Sequence, residues 1–217
     1  MSELHRPFNR DKGMLVVISG FSGSGKGTLM KGLMDNYDYY SLSISATTRQ
    51  PREGEIHGRE YFFISKDEFE KMIAKDELIE YASYVENYYG TPRSYVEQKL
   101  DEGKDVILEI EIQGALKVKE KFPDTLLLFV APPSAQELKH RLVGRGTETM
   151  EVINSRMSRA AEEAEGMENY DYLIINDTLE ECVEQMHSVI QAEHLRCSRN
   201  ANFIEKIQKE LKEMKGE

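Results

Sequence analysis

Nine residues constrain this chain more than any others: Gly20-Phe21-Ser22-Gly23-Ser24-Gly25-Lys26-Gly27-Thr28. Met14-Leu15-Val16-Val17-Ile18 runs just before them, apolar and β-branched, and reads as a buried parallel strand. Leu29-Met30-Lys31-Gly32-Leu33-Met34 follows, with apolar residues at helical spacing. A strand, a glycine-rich turn and a helix start, in that order, are the context of a phosphate-binding loop. Glycine lets backbone N–H groups turn inward with no Cβ in the way, and the helix N-terminus adds its positive end. Lys26 can then reach the outer phosphates of a nucleotide as a point charge. The competing reading is a flexible βα turn that binds nothing, and Lys26 with its flanking elements argues against it.

The loop departs from the strict pattern G-x-x-x-x-G-K-[ST]. Gly27 stands where a magnesium-binding hydroxyl usually sits, and Thr28 comes one place later. The G-K-G-T ending is similar to that of adenylate kinases, so nucleotide binding is still expected. Mg²⁺ is then expected to be reached through water rather than by a direct hydroxyl ligand.

A length of 217 residues gives one domain, or one core with small inserted subdomains, and 40% hydrophobic residues suffice for a core. A formal net charge of −11 argues against a general nucleic-acid or anionic-membrane binder. A small polyanionic substrate is still allowed where positive charge is concentrated, and the arginines do cluster: Arg49, Arg52, Arg59 and Arg93, then Arg141, Arg145, Arg156 and Arg159. Cys182 and Cys197 show no metal-ligand spacing and read as reduced thiols. Met1–Lys12 is polar, with no secretory core, and no run approaches a membrane span, so a cytoplasmic location is expected. The five histidines are scattered and read as surface residues.

Apolar strand candidates recur at Met14–Ile18, Val106–Ile110, Leu126–Val130 and Tyr172–Ile175, with helical patterns between them. The expected fold is α/β, a parallel sheet covered by helices on both faces, with ligands beyond the carboxyl ends of the strands. Residues 42–95 break the alternation. Leu42–Ser45, Tyr61–Ile64 and Leu78–Tyr81 read as short strands around a helical Lys66–Lys75, which predicts an inserted, mostly antiparallel subdomain. Gly144, Gly146, Thr147 and Thr149, beside arginines in 144–158, predict a mobile lid between helices 134–143 and 150–165. Thr178–Leu195 reads as a core-packing helix. Phe203, Ile204, Ile207, Leu211 and Met214 form a second apolar stripe, expected to dock on the core or to pair with another chain.

Ser45-Ala46-Thr47-Thr48-Arg49-Gln50-Pro51-Arg52-Glu53-Gly54-Glu55 is the next chemical signal. Two arginines three apart, stiffened by a proline, suit a fork-like grip on one phosphate. Tyr61, Glu80 and Tyr88-Tyr89-Gly90-Thr91-Pro92-Arg93 follow, and Glu109-Ile110-Glu111-Ile112-Gln113-Gly114 leaves a buried strand. Carboxylates in that position are usually functional, because burial without a partner is costly. The glycine loop, the S-x-T-T-R-x-P-R-x-G-E segment, Y-Y-G-T, the acid-x-acid-x-Q-G segment and G-R-G-T-E-T together resemble the guanylate kinases, in the family's order, from about Gly13 to Glu193. The stretch Ala192-Glu193-His194-Leu195-Arg196 resembles the bacterial members.

The resemblance implies a P-loop kinase with ATP and Mg²⁺ at Gly20–Thr28 and GMP in the inserted subdomain. Arg49, Arg52, Tyr61 and Tyr89 are then expected on the GMP phosphate, with Glu55 orienting the arginine pair. Thr91 is expected to line the base pocket, and Ser45, Glu80 and Glu109 to read guanine, whose N1–H and N2–H donors suit carboxylate and hydroxyl acceptors. Glu109 and Glu111 stand where the family often has Asp. Arg141, Arg145 and Arg156 match lid arginines that converge with Lys26 on the phosphates. Asn176 and Asp177 match positions near adenine, with a plain Asx turn as the competing reading. Two other functions share this scaffold. One is a phosphopeptide-binding scaffold domain, which typically lacks P-loop or base-reading residues. The other is a kinase for ribose bisphosphate or AMP, which the guanine-reading trio disfavours. Expected partners are GMP and ATP, without nucleic acid or membrane, on a monomer or a homo-oligomer joined through the C-terminal helix at 194–217.

Overall fold

A computed structural model describes residues 12–146 and 148–215. Thr147, one of the residues behind the lid expectation, lies outside them, as do residues 1–11 and 216–217.

Five strands make the central sheet: β1 (Leu15–Gly20), β2 (Tyr40–Leu42), β7 (Asp105–Glu109), β8 (Leu126–Ala131) and β9 (Tyr172–Ile175), in the order β2-β7-β1-β8-β9. Every pairing is parallel, with Val17 opposite Leu108 on one side and Leu127 on the other. Such a sheet is buried on both faces, which is why its inner strands read as unbroken apolar runs. Side chains alternate between two cores. Val16 and Ile18 face α1 (Lys26–Asn36) and α7 (Leu179–His194), meeting Leu29, Leu33, Val183 and Met186. Leu15 and Val17 face α3 (Arg93–Asp101) and α4 (Ile112–Lys121), meeting Val96, Ala115 and Val118. A third cluster seats α5 (Ala135–Gly144) and α6 (Met150–Ala164) beside the glycine loop, through Phe21, Phe129, Leu138, Leu142 and Ile153.

A second sheet holds β3 (Ala46–Thr47), β4 (Phe62–Phe63), β5 (Leu78–Tyr84) and β6 (Asn87–Pro92), in the order β4-β3-β6-β5. Its β3–β6 and β5–β6 pairings are antiparallel and its β3–β4 pairing is parallel. The helix α2 (Lys66–Ala74) buries Phe69 against Ala46 and Leu78, and Ser65 with Glu68 closes a capping box at its start. The strand expected at 42–45 divides. Leu42 ends β2 in the central sheet, and the insertion's own strands begin at Ala46. The link from α5 to α6 spans only 145–149, so most of 144–158 is helix.

The far ends of the strands carry two corrections. His194 is not a surface residue: its Nε2 lies 2.8 Å from Oδ1 of the fully buried Asp105, which also accepts the Met14 N–H at 2.8 Å. His187 lies under the Tyr37 ring at 3.7 Å, with the Tyr40 hydroxyl 2.6 Å from its Nδ1. Glu193 is 2% exposed and takes contacts from Tyr172, Arg196 and Arg199. The second correction concerns the apolar stripe. It forms α8 (Ala201–Lys215), but no residue of α8 is buried, so the helix does not dock on this chain's core. Cys182 and Cys197 are both free thiols. Among the described residues no helix is long and apolar enough to cross a membrane.

Candidate nucleotide sites

The turn between β1 and α1 is built by its glycines. Gly23 and Gly25 both sit at φ +93°, which L side chains rarely adopt, and a Cβ on Gly25 would stand 2.3 Å from Asn176 Nδ2. Gly25 caps α1, and its carbonyl accepts the N–H groups of Thr28 and Leu29 at 3.1 Å each. Lys26 folds back over the loop, its Nζ donating to Gly20 O at 2.7 Å and Phe21 O at 3.1 Å. Burial pulls its pKa below the ordinary lysine value, while Glu109, Glu163 and Glu111 oppose that fall.

Arginines close around this loop. Arg141 Nε donates to Glu137 Oε1 at 2.7 Å, Nη2 to Asn176 O at 2.9 Å and Nη1 to Ser24 O at 3.4 Å. Arg156 bridges Ser22 Oγ and Glu148 Oε1. Arg145 caps the C-terminus of α5, is exposed, and stands close enough to depress the Lys26 pKa further. Lys26, Arg141, Arg145 and Arg156 are thus brought together. Asn176 is buried, and its amide donates to Ser24 O at 2.7 Å, which joins it to the loop.

The inserted subdomain holds the second site. A cavity of about 570 Å³ opens between its sheet and α4, lined by Ser45, Tyr61, Glu80, Tyr89, Glu109 and Glu111 among others. At its side, Arg49 and Glu55 form a fork, Nη1 to Oε2 and Nη2 to Oε1, each at 2.9 Å. That bond, with the Arg52 N–H donating to the same carboxylate at 2.6 Å, holds the Glu55 pKa at about 2. Arg49 also lies over the Tyr61 ring at 5.4 Å, and Tyr61 meets Tyr89 edge-on at 6.0 Å. Glu55 therefore fixes the guanidinium of Arg49, whereas it reaches Arg52 only through the backbone; the Arg52 side chain is exposed. Thr91 is fully buried behind the lining, and its Oγ1 donates to Glu80 Oε1 at 2.8 Å. Burial pushes the Glu80 carboxyl above its ordinary value, and the Thr91 hydroxyl and backbone amide draw it partly back.

Glu109 and Glu111 reach the cavity's rim, both exposed, and Glu111 pairs with Arg159 at 2.7 Å. The sequence placed that partner among the clustered arginines without giving it a role, and it did not single out Glu137 and Glu148, which aim Arg141 and Arg156. The spacing of Glu137 to Arg141, four apart on one helix, was the available signal.

A model of the family described as guanylate kinase matches residues 12–193. The chain belongs to the guanylate kinase family. Guanylate kinases from Halalkalibacterium halodurans and Lactococcus lactis are 53% and 52% identical to it over 190 residues, which is 88% of this chain and 93% of theirs. One from Bacillus subtilis is 51% identical over 199 residues, 91% of this chain and 98% of its own. A crystal structure of guanylate kinase from Anaplasma phagocytophilum superposes with a TM-score of 0.67 at 32% identity, covering 88% of this chain and 90% of that one.

Proposed function

We propose that this guanylate kinase transfers the γ-phosphoryl group of ATP directly to the phosphate of GMP, giving ADP and GDP. The observation that carries the reading is Glu80, a carboxylate pinned by buried Thr91 on the wall of a cavity beside the Arg49–Glu55 fork. An ionised Glu80 accepts from both guanine donors, whereas adenine presents an acceptor at N1 and leaves that carboxylate badly paired. Ser45 and Glu109 complete the base-reading set, and Arg49, Arg52, Tyr61 and Tyr89 take the GMP phosphate. dGMP, with the same base and phosphate, is a second acceptor.

The nucleophile is a phosphate oxygen already anionic at neutral pH, so the protein supplies no general base. Catalysis rests on placement and on neutralising charge in flight. Gly20–Thr28 cradles the ATP phosphates. Lys26 exchanges its bonds to Gly20 O and Phe21 O for phosphate oxygens, and Arg141, Arg145 and Arg156 converge from α5 and α6. Closure of the 144–158 lid excludes water, which an open site would otherwise admit to hydrolyse ATP.

The donor set fits a Mg²⁺ ion carried chiefly by the nucleotide. Gly27 offers no hydroxyl, a Cβ there would meet nothing within 4 Å, and no three acidic, histidine or cysteine side chains cluster as a metal site among the described residues. Thr28, Glu109 and Glu111 would reach the ion through its waters, in keeping with the reluctance of Mg²⁺ to shed them. When bound it supplies further neutralisation of phosphate charge. Cytoplasm, reducing enough to keep Cys182 and Cys197 as thiols, is the compartment this reading assigns.

The test is ADP release with GMP, dGMP, AMP, CMP and UMP as acceptors. GMP and dGMP are expected to turn over. A chain that leaves GMP untouched while phosphorylating another monophosphate refutes the proposal.

A further inference from the structure

The short strand β4 carries two phenylalanines that face opposite ways, as successive side chains of a strand must. Phe62 and Ile64 turn towards α2, where they pack on the cluster of Ala46, Phe69 and Leu78. Phe63 turns the other way, with Tyr61, and belongs to none of the molecule's apolar clusters. It is half-buried all the same, and what it meets is the guanidinium of Arg49. Arg49 Cζ lies 5.4 Å from the centre of the Tyr61 ring and 5.7 Å from that of Phe63, and the two ring centres are 5.9 Å apart. The three points make a nearly equilateral triangle, so the cation sits in a corner formed by two aromatic rings, both within reach of a cation–π attraction. The backbone under Phe63 is fixed on both edges of the strand. Phe62 and Ile64 donate their N–H groups to Ser45 O and Thr47 O at 2.9 and 3.0 Å, and the Phe63 N–H donates to His57 Nδ1 at 3.1 Å.

We propose, on the reading that Arg49 takes the GMP phosphate, that Phe63 is a positioning residue for that arginine, acting through the negative face of its ring. Glu55 holds Nη1 and Nη2 by one edge, each at 2.9 Å, and Gln50 O takes a further Nη1 bond at 2.8 Å. A grip along one edge fixes where those nitrogens lie, but it leaves the guanidinium plane free to swing about that edge. Two rings set against the cation remove the swing and shed water, and the Arg49 and Glu55 side chains are only 16% and 18% exposed. Tyr61 also has a hydroxyl to place on the phosphate, and its ring must follow that bond. Phe63 has no polar group to serve, so its ring acts only as a wall for the cation. The arginine thus meets the phosphate already set in direction, and less affinity is lost to ordering a long, flexible side chain.

Calorimetry of GMP binding to the full chain tests it, with Phe63 replaced by phenylalanines bearing one, two and three ring fluorines. Each fluorine drains charge from the ring face while the ring keeps its shape, so the dissociation constant for GMP should rise step by step along the series. Phe63→Leu should weaken GMP binding about two- to fivefold, the size of one such contact at a half-exposed site, and Phe63→Tyr, which keeps the face, should recover most of that loss. Guanosine lacks the phosphate that Arg49 holds and should bind every variant alike, whereas a damaged pocket would weaken both ligands. In an Arg49→Gln background neither the fluorine series nor Phe63→Leu should move GMP binding further. A flat fluorine series, equal losses for guanosine, or a Phe63→Leu effect that survives Arg49→Gln overturns the proposal. Arg49→Gln by itself separates the two ideas. If it leaves GMP binding unchanged, the placing of Arg49 on the phosphate fails and takes the role of Phe63 with it. If it weakens GMP binding while the fluorine series stays flat, only the role of Phe63 fails.

Discussion

Glu80→Gln tests the base-reading site more sharply than any other change. The side chain keeps its volume, so Thr91 Oγ1, now 2.8 Å from Oε1, can still donate to the amide oxygen. What changes is the face toward guanine. The carboxylate accepts from N1–H and N2–H together, while an amide accepts one and turns its own NH₂ against the other. One hydrogen bond to a charged acceptor is lost, about 2 kcal/mol, and a donor is buried unpaired, about 1–3 kcal/mol more. At ~1.4 kcal/mol per decade, this total of about 3–5 kcal/mol should lower kcat/KM for GMP by roughly 10²- to 4 × 10³-fold. IMP carries N1–H but no 2-amino group, so it has less to lose, and the GMP-to-IMP preference should shrink. Steady-state ADP release with both acceptors measures the ratio. A preserved ratio would show that Glu80 does not read the base, however far the overall rate falls. pH supplies a second readout. Glu80 is raised above 4.5 in the folded chain, so the folded state holds that proton more tightly than the unfolded one. Wild-type stability without nucleotide should therefore decline as pH climbs from 4.5 through the raised value, and KM for GMP should climb as pH falls through it. Both trends should flatten in Glu80→Gln.

Four further outcomes follow from the same geometry. Lys26→Met should lower kcat about 10²–10³-fold with little change in KM for GMP, as expected for a charge felt chiefly in the transition state; an unchanged kcat contradicts its assigned role. Gly25→Ala should unseat Asn176 and the loop, reducing ATP affinity and thermal stability together, because the new Cβ meets Asn176 Nδ2 at 2.3 Å on a φ of +93°; calorimetry with and without ATP checks both. Gly27→Ser has open space and should leave the melting temperature nearly unchanged while lowering the Mg²⁺ concentration for half-maximal activity; an unaltered Mg²⁺ dependence would show that the hydroxyl cannot reach the ion. His194→Ala should cost about 3 kcal/mol in urea unfolding, since it strips a partner from buried Asp105, yet kcat at permissive temperature should hold, because Asp105 and Glu109 mark opposite ends of β7.

Much of this was legible in the residues because the informative signals were local. The runs at 14–18, 106–110 and 126–130 announced three strands, since a strand buried on both faces leaves no room for polar alternation, and the run at 172–175 announced the edge strand β9, although only Ile174 of its four residues is buried. Strand β2 escaped as part of the sheet because Tyr40-Ser41-Leu42 lies on its edge and ends in an exposed leucine. The Arg49–Glu55 fork and the Glu80–Thr91 contact were anticipated as neighbours through the family resemblance, and the geometry supplies their bonds. Long-range partnerships left no mark in the sequence. Asn176 meets Ser24 across 152 positions and His194 meets Asp105 across 89, and neither residue type distinguishes a buried anchor from a solvated surface group. The stripe on α8 declared an amphipathic helix, but a moment along one helix names a face and not what lies against it.

The bond between Asp105 and His194 also sets a timetable. During synthesis the Met14 N–H can bond the first carboxylate of β7 as soon as that strand is made, but 89 further residues must follow before the imidazole arrives. Until then the nascent sheet lacks one of the partners of its buried carboxyl group, so the last helical turn before residue 195 completes the core instead of trailing behind it. Truncated translation products ending short of His194 should be recognised as unfinished by the cell's proteases, although every nucleotide-site residue is already in place.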